Sequence, residues 1–476
     1  MTGEFHPVRV CEVELSCPLP VIEGHQTGTE QRARVLARWY REPLAFVDVP
    51  LTGGVATPGE LAQALWREVG QAVTRRFAEA GEQAPATLPV TGLRLAGPSA
   101  YLRGLAEVIA TAPAATVIVC TRDRAERLAS CLAAVTAQDY PEFEVIVVDN
   151  APADNRVAEL VSSQSWPVPV RRVVEPRPGL AWARNQGLHA ATGRFVAYLD
   201  DDEHPDRCWL AELARAFTLA PGVEGVSGIV LPAALDTPAQ CLFEQFGGHS
   251  KGRGLTAQVF DPASHARQHP LYPLPPFGVG ASMAFDRQAL LRAGGFDVAL
   301  GAGTPARAGE DTAVISDLML RGGTFVYWPG AIMWHEHRRE IGEMERQLFG
   351  YGSGLTAFYL RALLRNPGLL PVMLRLTPRA LRDLRGRDSV RTATMGEDYP
   401  PALRRATRRG MLAGPALYLR SRRVQARAAA QARLDARARL AAGAQQAIQA
   451  QAQQAIQTQT QTAQAQRTLQ AQGGPS

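Results

Sequence analysis

The sequence predicts an α/β protein whose main domain is a sheet with helices on both faces. Over residues 114–340, short apolar runs alternate with helical stretches, which is typical of parallel strands joined by helices. Residues 1–110 alternate apolar and polar positions and then show one long helical pattern, which predicts a small α+β unit. Residues 346–440 look helical and become rich in arginine, which predicts a basic helical extension. The predicted domains are therefore 1–110, 114–345 and 346–440, followed by a Gln- and Ala-rich tail at 441–476.

The chain has 476 residues, enough for two or three domains at roughly 150 residues each. Hydrophobic residues make up 46% and charged residues 20%, which excludes a wholly disordered chain. The sequence has no long uncharged apolar run of the kind that spans a membrane, and Met1–Val10 has no apolar signal region. We therefore expect a cytoplasmic protein without a transmembrane helix.

In the N-terminal unit, the alternating segments Val8–Leu15 and Ala33–Val49 predict half-buried strands. Pro58 and Glu60 open a helical pattern that ends at Gly81, because proline and acidic residues favour a first turn and glycine favours an end. This unit has no recognisable chemical motif. Its role stays open between acceptor recognition and dimer formation.

Four apolar runs in the main domain predict buried strands: Thr116–Cys120, Val145–Val148, Arg194–Leu199 and Glu224–Val230. The helical patterns between them cover Ala125–Ala137 and Pro205–Leu219. Ligands of such sheets bind beyond the carboxyl ends of the strands. Polar residues directly after these runs are therefore the first candidates for a site.

The first run is followed by Thr121, Arg122 and Arg124, and the second by Asp149 and Asn150. These two strand ends deliver hydrogen-bonding side chains to one edge of the sheet, where they suit a nucleotide base and its ribose. The alternative is that they cap the following helices, as Asp and Asn commonly do. These residues alone support the two interpretations equally.

The third run leads directly into four acidic residues, Asp200, Asp201, Asp202 and Glu203. Adjacent carboxylates repel one another and are costly at a sheet edge unless a cation neutralises them. Oxygen ligands at a strand end suit Mg²⁺ or Mn²⁺, which then bridges to phosphate oxygens. A solvated acidic turn is the alternative. We favour the metal site because the acidic residues follow a buried strand directly.

Two later motifs carry further candidates. Glu310 and Asp311 open a helical pattern, where a carboxylate either caps the helix or faces a bound sugar as a general base. Residues 335–337 read His-Glu-His, and Arg339 excludes the zinc-protease spacing. Single histidines are usually structural, but His335 follows an acidic cation site and is a candidate metal ligand.

Taken together and in order, these motifs resemble glycosyltransferase family 2, whose members have the GT-A fold, a mixed sheet flanked by helices. The resemblance covers about residues 114–350. It rests on the strand ends at 117–122 and 145–150, the segment PGLAWARNQG at 178–187, the segment GRFVAYLDDD at 193–202, the blocks at 280–285 and 294–297, Glu310-Asp311 and His335.

The resemblance implies how the donor is bound. Thr121 and Asp149 match positions that contact the nucleoside, with Arg122 and Arg124 beside them. Arg184 and Asn185 match the loop beside the donor diphosphate. Asp200 and Asp202 match the pair that holds the ribose and a divalent cation, with Asp201 between them. Gly280 and Ser282 match a donor-side block, in which asparagine is common at the place of Ser282.

The resemblance also implies the catalytic roles. Asp311, with Glu310 next to it, matches the general base of inverting members, and His335 matches a position that faces the cation or the diphosphate. A cation at Asp202, with Arg184, would stabilise the leaving diphosphate, while Asp311 takes the proton of the attacking hydroxyl. The QxxRW signature of polymer synthases is absent, which favours transfer of single sugars to a hydroxyl acceptor such as a lipid-linked sugar or a glycan.

Two other functions stay open. A nucleotidyltransferase acting on sugar phosphates also uses carboxylate-held Mg²⁺, but it would be expected to have a glycine-rich phosphate loop after the first strand, where this chain has none. A non-catalytic nucleotide-sugar-binding protein is the second. Retention of Asp200, Asp202, Asp311 and His335 together argues against it.

The basic segment contains 19 Arg against 5 acidic residues over 361–440, so its local charge balance is +14 within a chain of net charge +6. Three interpretations stay open: a helical surface packed on the acidic domain, peripheral binding to an anionic membrane at the inner face of the cell membrane, and RNA binding. No nucleic-acid module is present, so we expect no nucleic-acid partner. The tail contains 13 Gln over 445–472 and predicts a disordered or fraying helical segment.

Overall fold

The computed structural model describes residues 5–24, 29–267, 269–272, 280–385, 395, 399–428, 430 and 461. Residues 1–418 form one compact unit, and residues 419–476 are a second unit, in which 419–428 are helical. The Gln- and Ala-rich tail predicted at 441–476 lies outside the described residues, apart from Gln461.

The strands of the first unit form three sheets. In chain order they are β1 (Val8–Glu14), β2 (Ile22–Glu23), β3 (Arg32–Trp39), β4 (Glu42–Pro50), β5 (Val55–Ala56), β6 (Ala115–Thr121), β7 (Phe143–Asn150), β8 (Val170–Glu175), β9 (Phe195–Asp200), β10 (Glu203–Pro205), β11 (Val223–Pro232), β12 (Gln258–Phe260), β13 (Met283–Asp286) and β14 (Thr324–His335).

The α-helices are α1 (Pro58–Glu79), α2 (Ala100–Ala110), α3 (Ala125–Thr136), α4 (Arg156–Ser162), α5 (Leu180–Ala190), α6 (Trp209–Ala216), α7 (Pro238–Gln245), α8 (Arg287–Ala293), α9 (Glu310–Leu320), α10 (Ile341–Arg365) and α11 (Leu370–Arg385). A further helical stretch, at 401–418, ends the first unit. Of the helices described here, none is both long enough and apolar enough to cross a bilayer.

The N-terminal elements build a small sheet with its own core. β1 pairs parallel to β3, and β3 pairs antiparallel to β4. Helix α1 begins as predicted, because Thr57 and Glu60 form a capping box around Pro58 at the first helical position. Its apolar side joins strand residues such as Trp39 in one buried cluster.

The main sheet is mixed, which confirms the predicted α/β fold class. Its strand order is β10-β14-β11-β13-β9-β6-β7-β8, and β12 pairs with β14. Strands β9, β6, β7 and β8 are parallel, whereas β13 lies antiparallel between β11 and β9. The alternation of apolar runs and helical stretches in the sequence predicted a parallel sheet. It did not predict β13, the antiparallel strand at Met283–Asp286 that makes the sheet mixed. Two buried apolar clusters pack against the two faces of the sheet.

Candidate active site

The carboxyl ends of the parallel strands meet at one edge of the main sheet. The register places Thr121 opposite Asp149 and Cys120 opposite Asp200. A cavity of about 310 Å³ opens there, which we call the strand-end cavity. Its lining includes the predicted residues Thr121, Arg122, Arg124, Asp200, Asp201 and Asp202.

A second cavity of about 300 Å³ lies against helices α9 and α10, and we call it the helix-side cavity. Its lining includes the predicted residues Arg184, Gly280, Glu310, Asp311 and His335. Both cavities are lined by Asp200 and Asp202. The two acidic residues therefore form part of the boundary at which ligands in the two cavities would meet.

Arginines surround the acidic residues at the end of β9. Asp201 accepts hydrogen bonds from Thr121 Oγ1 at 2.7 Å and from Arg124 at 2.9 Å. The carboxylate of Asp202 lies 3.3 to 3.6 Å from guanidinium nitrogens of Arg124, Arg127 and Arg338. The sequence argument, that these carboxylates need a cation as countercharge, is therefore corrected: the protein supplies guanidinium groups of its own.

Arg184 links the strand end to helix α9. Its guanidinium is 2% exposed and donates to Glu310 Oε1 at 2.8 Å, to Asp200 Oδ1 at 3.2 Å and to the Gly280 carbonyl at 3.2 Å. A Cβ at position 280 would lie within 2.9 Å of both terminal nitrogens of Arg184, so any larger residue there would have to displace the guanidinium. Burial raises the pKa of Asp200 to about 6, although Arg184 opposes this shift. Burial also raises the pKa of Glu310, and the neighbouring Asp311 adds to it.

Asp311 is the carboxylate at the start of α9 that faces the helix-side cavity. Its Oδ2 accepts from the Gly280 N–H at 2.8 Å, and its Oδ1 accepts from the Thr312 N–H at 2.6 Å. The preceding Gly309 has φ +97°, a conformation that favours glycine and that turns the chain into the helix. Among the described residues, Glu310 pairs with a guanidinium group whereas Asp311 is held by neutral backbone donors, which suits a group that accepts a proton.

His335 ends β14 beside the acidic residues. Its Nε2 lies 3.9 Å from Asp202 Oδ1. Burial lowers the pKa of His335 to about 3, which leaves the ring neutral and able to ligate a metal. Carboxylate oxygens of Asp200 and Asp202 and the imidazole nitrogen of His335 are donors of the kind that Mn²⁺ takes, and all three residues line the helix-side cavity. His335 also belongs to a buried group with His249 and His337, whose ligand atoms lie within 4.8 Å of one another.

Three predicted donor-binding residues are not brought to either cavity. Ser282 is fully buried, and its hydroxyl accepts from the Trp209 indole N–H at 2.9 Å. The Asn185 amide bonds both backbone groups of Phe296. In this structure the side-chain hydrogen bonds of both residues are directed into the protein, and their contact with the donor stays a prediction.

Asp149 is the third of these residues. It is buried and pairs with Arg172 at 2.7 Å, while Asn150 lines the strand-end cavity in its place. Asp149 Oδ1 has no hydrogen-bond partner among the described residues. That free acceptor suits a base N–H, so nucleoside contact by Asp149 stays a prediction.

The structure adds residues that the sequence motifs did not indicate. Arg338 lines both cavities, three positions after His335, and its role follows only from the fold. Glu203 is fully buried, and it accepts from the Asp200 N–H at 2.8 Å. Burial raises the pKa of Glu203 well above its ordinary value. The sequence neighbours of Glu203 indicated that it lies near the site, but they did not indicate that its pKa is raised.

Part of this chain is similar to known glycosyltransferases. Residues 116–291 match the family model described as glycosyl transferase family 2. The resemblance predicted from the sequence is thereby confirmed for this segment. The chain is 34% identical over 124 residues to the glycosyltransferase AglE of Haloferax volcanii, and 36% identical over 97 residues to the amylovoran biosynthesis glycosyltransferase AmsB of Erwinia amylovora. These matches cover 25% and 19% of this chain, and 40% and 32% of the two relatives.

Solved structures of low sequence identity are also similar to this chain. The mannosyltransferase PcManGT of Pyrobaculum calidifontis, solved with GDP-Man and Mn²⁺, is 21% identical, and the match covers 67% of this chain and 80% of that one with a TM-score of 0.40. The glucosyl-3-phosphoglycerate synthase of Mycobacterium tuberculosis is 16% identical, with 55% and 82% covered and a TM-score of 0.37.

Proposed function

We propose that the protein is an inverting glycosyltransferase that moves one sugar from a nucleotide-diphosphate sugar to a hydroxyl group of an acceptor. The observation that carries this proposal is that two cavities share Asp200 and Asp202. A nucleotide in the strand-end cavity and an acceptor in the helix-side cavity would meet at these residues. The family match of residues 116–291 supports the same reaction class.

The residues that would hold a divalent cation, Mn²⁺ or Mg²⁺, are Asp200, Asp202 and His335. When bound, the cation would offset the negative charge of the leaving diphosphate. Arg338 and Arg124 lie 3.6 and 3.5 Å from the Asp202 carboxylate and also line the strand-end cavity, so they supply further positive charge for the diphosphate. Arg184 acts differently: its bonds to Glu310 and Asp200 hold the two carboxylates at a fixed separation.

In the reaction, the acceptor oxygen forms a bond to the anomeric carbon while the bond from that carbon to the phosphate oxygen breaks. The bonding electrons leave with the diphosphate, and Asp311 takes the proton of the acceptor hydroxyl. Attack from the face opposite the leaving group inverts the anomeric centre. The backbone hydrogen bonds to Asp311 keep its carboxylate in place for this transfer.

A screen of UDP-, GDP- and dTDP-linked sugars tests the proposal. A ligand that binds only the folded protein raises the unfolding temperature, and at 100 times its Kd it adds about 2.7 kcal/mol. We expect one nucleotide class to raise the unfolding temperature more with Mn²⁺ than without it, and to release nucleoside diphosphate during turnover. The proposal fails if no nucleotide sugar binds or turns over at millimolar concentration.

The surface of α11 supports an acceptor at an anionic membrane. Leu370, Leu374 and Leu381 are 47%, 63% and 45% exposed, and their spacing places them on one side of the helix. Arginines at positions 375, 379 and 382 lie on a different side of the helix, roughly 100–160° round from these leucines. An exposed apolar side together with a cationic side is typical of interfacial helices, so we include a lipid-linked acceptor in the proposal. Leu374→Ser should reduce flotation with anionic vesicles at low salt; if the parent protein does not float, membrane association is wrong.

A further inference from the structure

Behind His335, a chain of hydrogen bonds leads away from the acidic residues. His335 Nδ1 lies 2.9 Å from His337 Nδ1, and His337 Nε2 lies 2.9 Å from Glu244 Oε1 on α7. The side chains of His335 and His337 are 8% and 0% exposed. On the other side of its ring, His335 directs Nε2 towards Asp202 Oδ1, 3.9 Å away.

One arrangement of protons satisfies both hydrogen bonds. In it, His337 donates from Nε2 to the Glu244 carboxylate and accepts at Nδ1. The short contact between the two Nδ1 atoms holds one proton, which His335 supplies. A neutral His335 protonated on Nδ1 has its free lone pair on Nε2, the nitrogen that faces Asp202.

Residues around His337 and Glu244 pack closely against these hydrogen-bonded side chains. Gly248 has φ +53°, and a Cβ there would collide with the Glu244 carboxylate, so glycine allows the carboxylate to lie against the backbone. The Phe243 ring packs edge-on against His337 with centroids 4.8 Å apart. These contacts restrict the orientation of the His337 ring and of the Glu244 carboxylate.

We infer that Glu244 and His337 are positioning residues that fix the tautomer of His335, so that its Nε2 lone pair is directed to a cation at Asp202. This inference rests on the proposed function. Carboxylate–histidine pairs behind a metal ligand orient the ligand and raise its basicity, and their loss typically costs 10- to 100-fold in metal affinity. Here the chain contains a second histidine between the carboxylate and the ligand.

A competing arrangement uses the same histidines. His249 Nε2 has no hydrogen-bond partner among the described residues, and an ion held by His249, His335 and His337 would occupy the space between the rings. In that arrangement His335 would ligate through Nδ1, and its Nε2 would be protonated towards Asp202. The protonated nitrogen of His335 therefore distinguishes the two arrangements.

The experiment measures Mn²⁺ binding by electron paramagnetic resonance, with Mn²⁺ alone as the probe. Glu244→Met and His337→Phe remove the hydrogen bonds at similar volume and should raise the Kd for Mn²⁺ by 10- to 100-fold. Glu244→Gln keeps an acceptor oxygen and is the matched control, with a Kd within about threefold of the parent value. Thermal unfolding verifies that each variant is folded, and nitrogen-15 NMR of the metal-free parent should show His335 protonated on Nδ1.

The outcomes separate this inference from the proposed function. If Asp202→Asn abolishes Mn²⁺ binding while folded Glu244→Met and His337→Phe bind like the parent, the positioning role is wrong and the cation site stands. If Asp202→Asn binds Mn²⁺ like the parent, both are wrong. Binding that survives in Asp202→Asn but is lost in His249→Ala would assign the ion to the three histidines. A parent His335 protonated on Nε2 overturns the inference without any variant.

Discussion

The Asp311→Asn variant distinguishes a role of Asp311 as the general base from a role in the stability of the fold. The two carboxylate oxygens accept from the Gly280 and Thr312 N–H groups. An asparagine amide has one acceptor oxygen, so its NH₂ group faces one of these donors and one hydrogen bond is lost. Leaving one donor unpaired costs about 1–3 kcal/mol, which a domain with the usual 5–15 kcal/mol of stability tolerates. We therefore expect Asp311→Asn to fold.

The effect on the rate should be larger than the effect on stability. An amide cannot take the proton of the acceptor hydroxyl, and general-base catalysis is worth about 10²- to 10⁴-fold. This corresponds to about 2.7–5.4 kcal/mol in the activation free energy. Donor affinity should stay within about threefold of the parent value, since Asp311 lines the helix-side cavity and is not part of the strand-end cavity.

The assay measures kcat for sugar transfer at saturating donor and acceptor, with donor Kd measured separately by calorimetry. Glu310→Gln is the comparison, because glutamine still accepts from Arg184 at the neighbouring position. We expect kcat to fall further in Asp311→Asn than in Glu310→Gln. The base assignment is refuted if Asp311→Asn transfers sugar at the parent rate, or if only Glu310→Gln is impaired.

Three further predictions follow from the same geometry. Asp202→Ala should abolish Mn²⁺-dependent donor binding in calorimetry; equal affinity for the nucleotide sugar in the parent with and without Mn²⁺ would contradict the metal site. Because burial raises the pKa of Asp200 to about 6, protons compete with Mn²⁺ below that pH. Mn²⁺ affinity should rise up to about tenfold per unit from pH 5 to 6 and level off above, and a flat profile between pH 5 and 7 would be inconsistent with Asp200 as a ligand. Arg361→Met should destabilise by about 3–5 kcal/mol in thermal unfolding, because Arg361 is 1% exposed and pairs with Asp317 at 2.7 Å. Arg365→Met, which removes an exposed partner of the same Asp317, should cost under about 1 kcal/mol, and equal losses in the two variants would refute the distinction.

Local patterns predicted those parts of the site that depend on neighbours in the chain. The buried strand before Asp200 and the helix start at Glu310 are encoded in runs of about ten residues, and both lie where the sequence placed them. The edge shared by Thr121 and Asp200 followed from the rule that parallel strands end together. These features need no knowledge of distant contacts.

Features that depend on long-range packing could not be predicted from local patterns. The hydrogen-bond partners of Ser282 and Asn185, which are Trp209 and Phe296, lie 73 and 111 residues away in the chain. The antiparallel strand β13 was also missed, since its four residues carry too little periodicity to be distinguished from a loop. Side-chain direction at such positions is decided by the register of the assembled sheet.

The arginines around the acidic residues weaken the inference from the acidic motif to a bound cation. Burial raises the pKa of Glu203 well above its ordinary value, while Arg184, Arg124 and Arg338 lie within 3.6 Å of the carboxylates of Asp200, Asp201 and Asp202. The site is therefore close to charge balance without a cation, and electrostatic repulsion alone does not require one. A divalent ion added by itself leaves net positive charge in a partly buried site, so it should bind more weakly than it does together with a diphosphate. A divalent ion added together with a diphosphate restores the balance, because the arginines near Asp202 can then face phosphate oxygens. Charge balance thus favours entry of the cation and the nucleotide as a pair, and it explains why acidic residues and arginines occur together at this edge of the sheet.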